Sequence, residues 1–285
     1  MTEANRLFDA AARALVAGDH AAARNLFRRA GEAGRLDAEV IHANFVASGI
    51  GAPADWGRGF ALLRALAPRN RRSARELEVI EAMALAPEGD PLLVPTGERL
   101  SSSPEITLFR GLFTPEECRY LAEAAWPMLQ PSVVIDTATG RQVRDPVRTS
   151  DGVGFTWPLE NPAVHALNRR IAAASGTAPG QAEPLQVLRY RPGDQYRTHY
   201  DAIPGFANQR VLTVIVWLNA GYEGGETHFA AANLKLRGAP GDALLFRNTG
   251  AGGRPDPASA HAGLPVTAGE KLLASRWIRE RKFEG

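Results

Sequence analysis

The stretch YRTHYDAIPGF, from Tyr196 to Phe206, places a histidine and an aspartate two residues apart, ahead of a proline-glycine turn. In a β-strand, residues i and i+2 face the same side of the sheet, about 6–7 Å apart along the backbone. His199 and Asp201 could therefore direct an imidazole nitrogen and a carboxylate oxygen at one metal ion. Two ligands hold a metal poorly, and His261, in the later segment SAHAGLPV, is the natural candidate for a third.

The sequence around this stretch predicts short antiparallel strands. Runs rich in Val, Leu, Phe and Trp alternate with turn signals such as RPGD, NAGYEGG and RGAPGD from residue 184 onward. Short strands with a turn about every ten residues are typical of a β-sandwich or barrel. The predicted strands are PLQVLRY, QRVLTVIVWLN, ETHFA, NLKLRG, DALLFRN and KLLASRWIRE.

Helices are predicted before this β region. In FTPEECRYLAEAAWPML, Thr114 is a suitable N-cap, Pro115 fits the first helical turn, and Glu116 and Glu117 suit the positive end of the helix dipole. A second helix is predicted from Asn161 to Gly176. The fold class is therefore α+β, with a β core flanked by helices.

The first 86 residues are alanine-rich and predict an all-α region. Leu7, Phe8, Ala11, Ala12 and Leu15 recur at helical spacing before a Gly-Asp break. The segment NLFRRA at 25–30 recurs loosely as ALLRAL at 61–66, which resembles tetratricopeptide or Sel1-like helical repeats; an unrelated helical bundle is the alternative. Residues 87–105, with four prolines and a serine run, are predicted to be a linker, and 106–285 a second domain.

Composition narrows the function classes. The 285 residues carry a formal net charge of only +2, which gives no support to nucleic-acid binding. No apolar run approaches the roughly 20 residues that span a bilayer, and the N-terminus lacks the apolar stretch of a secretory signal. Cys118 is the single cysteine, so an internal disulfide and a cysteine-rich zinc site are excluded. We therefore expect a cytoplasmic protein that binds neither nucleic acid nor membrane.

Two histidines and one carboxylate on one face of a metal form the facial triad of non-haem Fe(II) oxygenases. Further motifs accompany these residues in a specific order, and over half of the chain, residues 106–283, resembles the 2-oxoglutarate- and Fe(II)-dependent dioxygenases of the prolyl 4-hydroxylase branch. The motifs are EC in the first helix, RTSDG at 148–152, RYRPGDQYRTHYD at 189–201, RVLTVIVWLN at 210–219, GGETHF at 224–229, GDALLF at 241–246 and HAGLPVTAGEKLLASRW at 261–277.

The resemblance implies a double-stranded β-helix (jelly-roll) catalytic core and assigns roles to individual residues. His199, Asp201 and His261 would bind iron, and Lys271 would pair with the distal carboxylate of 2-oxoglutarate. Cofactor-binding roles are also implied for Tyr190, which would hydrogen-bond the cosubstrate, and Thr213, on a strand lining the same pocket. Candidate substrate residues are Arg148, Tyr196 and Trp277. The remaining histidines, His20, His42, His165 and His228, have no spaced partner and are expected to be structural.

The resemblance further implies that Fe(II), 2-oxoglutarate and O₂, with ascorbate as a reductant, support C–H hydroxylation with release of succinate and CO₂. The implied substrate is a prolyl residue in a protein or peptide. A non-prolyl amino acid or a peptide natural product is the alternative substrate, since fold does not determine substrate. A catalytically inactive helical-repeat scaffold is the alternative of a different class. Asp201 argues against a related halogenase, which has a small residue there, and against a cupin-type isomerase, which requires H-x-H.

Overall fold

A computed structural model describes residues 1–135, 142–156 and 158–284. These ranges form two compact units: residues 1–93 with 155–170, and residues 94–154 with 171–285. The helices described are α1 (Glu3–Val16), α2 (His20–Glu32), α3 (Leu36–Ser48), α4 (Trp56–Leu66), α5 (Arg71–Glu81), α6 (Pro115–Ala125) and α7 (Pro162–Ser175). None of the helices in these ranges combines the length and the apolar character needed to cross a bilayer.

The strands described are β1 (Gly97–Ser102), β2 (Glu105–Phe109), β3 (Gln130–Pro131), β4 (Val133–Ile135), β5 (Gln142–Arg144), β6 (Asp151–Gly154), β7 (Gln186–Tyr190), β8 (Tyr196–His199), β9 (Arg210–Trp217), β10 (Glu223–Gly224), β11 (Thr227–Phe229), β12 (Leu234–Leu236), β13 (Ala243–Arg247), β14 (His261–Gly263), β15 (Val266–Ala268) and β16 (Lys271–Arg279). Each of the six runs predicted to be strands contains one.

The first unit is built from successive helices that contact their neighbours, α1 with α2 through to α4 with α5. Capping side chains begin several of them: Thr2, Asp19, Asp55 and Asn70 each accept a hydrogen bond from a backbone N–H of the first turn. Phe27 is part of the buried core, and its ring lies edge-on to Phe8 at 5.4 Å and to Phe45 at 5.7 Å. The helical character predicted for this region is confirmed.

Residues 155–170 belong to this helical unit although they follow the first strands of the β region. The Nδ2 of Asn44 donates to the carbonyl of Pro158 at 3.2 Å, and the N–H of Ala163 donates to Glu76 at 3.3 Å. Arg169 pairs with Asp90 at 2.6 Å. The domain bounds expected from the sequence stay a prediction; within the expected linker, residues 97–102 form β1.

The second unit consists of antiparallel sheets, of which two are large and two are the strand pairs β10-β15 and β4-β5. The larger sheet has the strand order β1-β2-β13-β9-β16-β7-β6-β3, and a four-stranded sheet has the order β12-β11-β14-β8. Apolar side chains of both sheets share one core, in which Phe229 of β11 lies 5.0 Å from Phe246 of β13. Helix α6 begins with the predicted cap, since Thr114 and Glu117 form a reciprocal capping box. The predicted α+β class and sandwich are confirmed.

Candidate metal and cosubstrate site

Three potential metal ligands converge at one end of the four-stranded sheet. His199 ends β8 and His261 begins β14, and the two residues are direct partners across these antiparallel strands. The Nε2 atom of His199 lies 3.5 Å from Oδ1 of Asp201, and the Nε2 atom of His261 lies 3.7 Å from Oδ2. One ligand atom from each residue lies within 4.8 Å of the other two. The arrangement fits a single ion bound by two imidazoles and a carboxylate.

Asp201 does not lie on the strand that carries His199. Strand β8 ends at His199, and Asp201 follows in a bend. The expectation that strand alternation brings the two side chains together is therefore wrong at this point. A hydrogen bond from Thr213 Oγ1 to Asp201 Oδ2, at 2.6 Å, holds the carboxylate in place instead.

Both histidines present the same nitrogen to the site. Nδ1 of His199 donates to the carbonyl of Arg197 at 2.8 Å, and Nδ1 of His261 donates to the carbonyl of Ser259 at 3.0 Å. A carbonyl oxygen only accepts, so Nδ1 carries the hydrogen in each ring and the Nε2 lone pair is left for a metal. Backbone carbonyls that orient imidazoles in this way are a common feature of metal sites.

The charge states of the buried groups also suit a cation. Burial lowers the pKa of His261 to about 4, so its imidazole is neutral near pH 7. Burial alone would raise the pKa of Asp201, but the neighbouring imidazoles of His261 and His199 and the hydrogen bond from Thr213 outweigh it and hold the pKa well below its usual range. A neutral imidazole and an ionised carboxylate are the forms that bind a metal.

These residues line a cavity of about 470 Å³, a volume that includes space open to solvent. All nine residues selected from the sequence lie on its wall: Arg148, Tyr190, Tyr196, His199, Asp201, Thr213, His261, Lys271 and Trp277. The structure thus brings the predicted set together, while the chemical role of each residue stays a prediction.

Further lining residues could have been found from strand alternation. On β16, every second residue from Lys271 to Trp277 faces the cavity, which adds Leu273 and Ser275. On β9, Ile215 follows Thr213 at the same spacing. Leu188 precedes Tyr190 at the same spacing on β7. Thr227 and Gly263 complete the wall and lie within the motifs GGETHF and HAGLPVTAGEKLLASRW, to which no role for these two residues was attached. Asn248 was also missed: it lies behind the wall, and its Nδ2 donates to Thr213 Oγ1 at 2.8 Å.

Lys271 is a buried cation on the cavity wall. Its side chain is 3% exposed, and its Nζ donates to the carbonyl of Gly225 at 2.7 Å. Burial lowers the pKa of Lys271 to about 8. One carbonyl bond leaves further N–H groups of the ammonium for an anionic ligand in the cavity.

The aromatic and arginine candidates lie around the metal ligands. The Tyr196 ring stacks on His199 with centroids 3.5 Å apart, and the Arg148 guanidinium lies 5.6 Å from the Tyr196 ring. The guanidinium carbon of Arg210 lies 3.7 Å from the ring centroid of Trp277. Tyr190 lies 5.4 Å from Nζ of Lys271, and burial raises the pKa of its hydroxyl, which therefore stays protonated and can donate.

Comparison with known proteins agrees with this geometry. The profile of the 2OG-Fe(II) oxygenase superfamily matches residues 185–279. Prolyl 4-hydroxylase 1 of Arabidopsis thaliana is 35% identical over 249 residues, covering 79% of this chain and 86% of that protein. Probable prolyl 4-hydroxylase 10 of the same plant is 32% identical, covering 66% of this chain and 73% of that protein.

Among solved structures, the viral collagen prolyl hydroxylase of Paramecium Bursaria Chlorella virus-1, in its 2OG complex, is 27% identical with a TM-score of 0.50. The match covers 62% of this chain and 96% of the viral protein. Membership of the superfamily implies Fe(II), 2-oxoglutarate and O₂ as the reactive components. On the strength of these matches and of the site, the chain belongs to the prolyl 4-hydroxylase family of 2-oxoglutarate- and Fe(II)-dependent oxygenases.

Proposed function

We propose that the protein is a 2-oxoglutarate- and Fe(II)-dependent dioxygenase that hydroxylates a prolyl residue in a protein or peptide. The balanced reaction converts the substrate C–H, O₂ and 2-oxoglutarate into C–OH, succinate and CO₂. The observation that carries the proposal is the convergence of His199, Asp201 and His261 within 4.8 Å, on the wall of a cavity that also contains Lys271.

His199, Asp201 and His261 would hold the iron through two Nε2 atoms and one carboxylate. Both Nδ1–H groups are already bonded to carbonyl oxygens, so the donor set matches what a facial triad requires. The bound iron, with 2-oxoglutarate and O₂, supplies the oxidative decarboxylation and the hydroxylation. The chain supplies ligand geometry, charge compensation and placement of the substrate.

Lys271 would pair with the distal carboxylate of 2-oxoglutarate, because a buried carboxylate is costly without a charged partner. Tyr190, next to Lys271, would donate a hydrogen bond to the same cosubstrate, and Thr213 lies on the same wall. Arg148, Tyr196 and Trp277 would orient the substrate: the arginine can donate to peptide carbonyls, and the two rings offer apolar faces to a pyrrolidine.

The prolyl substrate is proposed from the relatives. The plant proteins are prolyl 4-hydroxylases, and the viral protein is a collagen prolyl hydroxylase. A tetratricopeptide- or Sel1-like arrangement of α1 to α5 would give an extended surface suited to a polypeptide. The repeat character, the dependence on ascorbate and the cytoplasmic location stay predictions.

The test incubates purified protein with Fe(II), ascorbate, 2-oxoglutarate and a proline-rich peptide. We expect succinate to form and the peptide to gain the mass of one oxygen on proline, as measured by mass spectrometry. His199→Ala should abolish both signals, whereas His228→Ala, on β11 and outside the cavity wall, should keep them.

Two other outcomes separate the alternatives. Succinate without peptide oxidation, followed by oxidation of a different amino acid in a substrate screen, would establish the hydroxylase and reject the prolyl substrate. Absence of succinate together with absence of Mn(II) and 2-oxoglutarate binding would favour the inactive scaffold.

A further inference from the structure

We infer that Asn248 and Thr213 form a directional hydrogen-bond relay that fixes the carboxylate of Asp201 for metal binding. This inference rests on the proposed function, because it concerns the same metal site. It changes the role expected for Thr213, from a contact to 2-oxoglutarate to a positioning residue that acts through Asp201. Asn248 acts one step further from the metal.

The relay consists of two short hydrogen bonds between buried side chains. Nδ2 of Asn248 lies 2.8 Å from Oγ1 of Thr213, and this Oγ1 lies 2.6 Å from Oδ2 of Asp201. Asn248 is 0% exposed, Thr213 1% and Asp201 4%. Water therefore has little access to these polar atoms, and each bond replaces solvation that burial removes.

The chemistry of the groups sets the direction of the relay. An ionised carboxylate only accepts, so the single hydroxyl hydrogen of Thr213 points to Asp201. The Thr213 oxygen then accepts, and the amide nitrogen of Asn248 is the group that donates to it. Because its only hydrogen is used, Thr213 cannot also donate to a cosubstrate in the cavity.

Asp201 needs such support because it lies outside the strand ladder. It follows β8 in a bend, whereas Thr213 lies on β9 and Asn248 directly follows β13, a neighbouring strand of the larger sheet. The relay thus ties the carboxylate to a rigid part of the fold. A carboxylate held in one orientation loses less conformational freedom when it binds an ion, which favours affinity.

The same asparagine also supports the second histidine. The backbone carbonyl of Asn248 accepts a hydrogen bond from the N–H of Asp256 at 3.0 Å, and the carbonyl of Asp256 accepts one from Ser259 Oγ at 2.7 Å. The carbonyl of Ser259 in turn accepts from Nδ1 of His261 at 3.0 Å. Two of the three ligands are therefore connected to Asn248, one through its side chain and one through its main chain.

The test measures Co(II) binding to the full chain by visible absorption in the wild type, Thr213→Val and Thr213→Ser. Valine keeps the shape but removes the hydroxyl, so we expect a loss of affinity of about 10–100-fold, the range typical for supports of metal ligands. Serine restores the hydroxyl and should bind within a few-fold of the wild type. A purely steric role of Thr213 would give the opposite order.

Matched controls accompany these variants. Thr249→Val removes another buried hydroxyl, outside the cavity wall, and should leave the Co(II) spectrum and affinity unchanged. Thermal unfolding of the metal-free proteins verifies the fold. Should Thr213→Val fail to fold, Thr213→Val with Asn248→Leu removes both polar partners, which leaves no unpaired amide and is expected to fold with the same weakened binding.

The outcomes distinguish this inference from the proposed function. Wild-type Co(II) affinity in His199→Ala would reject the metal site itself. Loss of binding in His199→Ala, with wild-type affinity in Thr213→Val or in the double variant, would keep the site and reject the relay. Equal weakening in Thr213→Ser and Thr213→Val would also reject it, because the hydroxyl would then not be the group that matters.

Discussion

At the scale of single residues, Lys271 shows how burial makes a side chain ready for an anionic ligand. The ammonium of Lys271 is buried away from water, and it donates a hydrogen bond to the carbonyl of Gly225. The pKa of Lys271 is lowered to about 8 for that reason. A carboxylate entering the cavity would restore the lost electrostatic stabilisation, which is why a buried lysine suits this position better than an exposed one.

Replacing Lys271 with methionine keeps much of its volume and removes the charge. We expect the dissociation constant for 2-oxoglutarate, measured by isothermal titration with Mn(II) in place of iron, to rise by at least about 30-fold. This corresponds to the roughly 2 kcal/mol or more that loss of a buried charged partner costs. Mn(II) binding alone should be unchanged, and unchanged 2-oxoglutarate affinity would contradict the role of Lys271.

The same residue predicts how cosubstrate binding depends on pH. The 2-oxoglutarate anion binds the protonated amine of Lys271, whose pKa in the free protein is about 8. The affinity for 2-oxoglutarate should therefore be constant below pH 8 and fall by up to about tenfold per pH unit above it. Lys271→Arg stays charged throughout and should show a nearly flat profile between pH 7 and about pH 9.5. A fall of the same size in both proteins would assign the pH dependence to another group.

At the scale of elements, the entry into β13 depends on a glycine. Gly241 has φ +94°, and a Cβ atom there would lie 1.9 Å from the carbonyl oxygen of Phe113. The two segments are joined by a hydrogen bond from the N–H of Phe113 to the carbonyl of Gly241 at 3.0 Å. The motif GDALLF therefore begins with glycine for both conformational and steric reasons.

Gly241→Ala should lower the free energy of unfolding by more than about 3 kcal/mol, since it combines an unfavourable φ with a clash against the main chain. Gly193→Ala is the matched control: its φ is +90°, but no atom lies within 4 Å of the added Cβ. Gly193→Ala should lower the free energy of unfolding by only the roughly 1–2 kcal/mol that a positive φ costs a non-glycine residue. Chemical denaturation of both variants measures the difference, and equal losses would show that the contact with Phe113 relaxes freely.

At the scale of the whole molecule, the two units do not follow the order of the chain. Residues 155–170 interrupt the β region and pack with the N-terminal helices, where Phe155, Val164 and Leu167 are fully buried. Their polar contacts include those with Asn44, Glu76 and Asp90. The helical unit is therefore completed by residues that the chain reaches only after β6.

A fragment of residues 94–285 should consequently behave poorly on its own. It keeps 155–170 but lacks the helices that bury those apolar side chains, so we expect dye binding to exposed apolar surface and a lower unfolding temperature than that of the full chain. Adding residues 1–93 as a separate chain should reduce the dye signal. A fragment with full thermal stability would show that 155–170 needs no helical partner.

Glu76 of α5 makes the completed unit sensitive to pH. It is 3% exposed and accepts a hydrogen bond from Ala163 near the start of α7, and burial raises its pKa to about 8. Between pH 4.5 and about 8 the folded protein keeps a proton that the unfolded chain releases. Its contribution to stability therefore decreases as pH rises through this window, by up to about 1.4 kcal/mol per pH unit.

Glu76→Gln cannot ionise and can still accept from Ala163, so it should be more stable than the wild type above about pH 6. The difference in the free energy of unfolding, measured by urea denaturation, should grow between pH 5 and pH 8. Glu78→Gln, on the exposed face of the same helix, is the control and should follow the wild type. If the difference in the free energy of unfolding between Glu76→Gln and the wild type did not change with pH, the buried-carboxyl explanation would be contradicted.

Local pattern was sufficient to predict much of the β core, and the order of the motifs was sufficient to select nine residues that line one cavity. Alternating apolar residues predicted the strands that carry Tyr190, Thr213 and Trp277, because the period of two belongs to the strand itself. The N-cap at Thr114 was also predicted from local sequence, because a cap involves only residues of the first helical turn. His199, Asp201 and His261 were selected because their residue types suit a metal and because the accompanying motifs occur in the order of the family.

Contacts between distant parts of the chain decided the rest. The support of Asp201 by Thr213 and Asn248, the burial of Lys271, and the place of residues 155–170 in the helical unit all depend on which surfaces face each other after folding. Residue type and spacing specify which kinds of group a side chain can bond. Only tertiary packing specifies which groups lie close enough to it to be bonded. That distinction explains why the sequence by itself determined the strands and the candidate metal ligands, and why the tertiary structure alone decided how those candidate side chains are held.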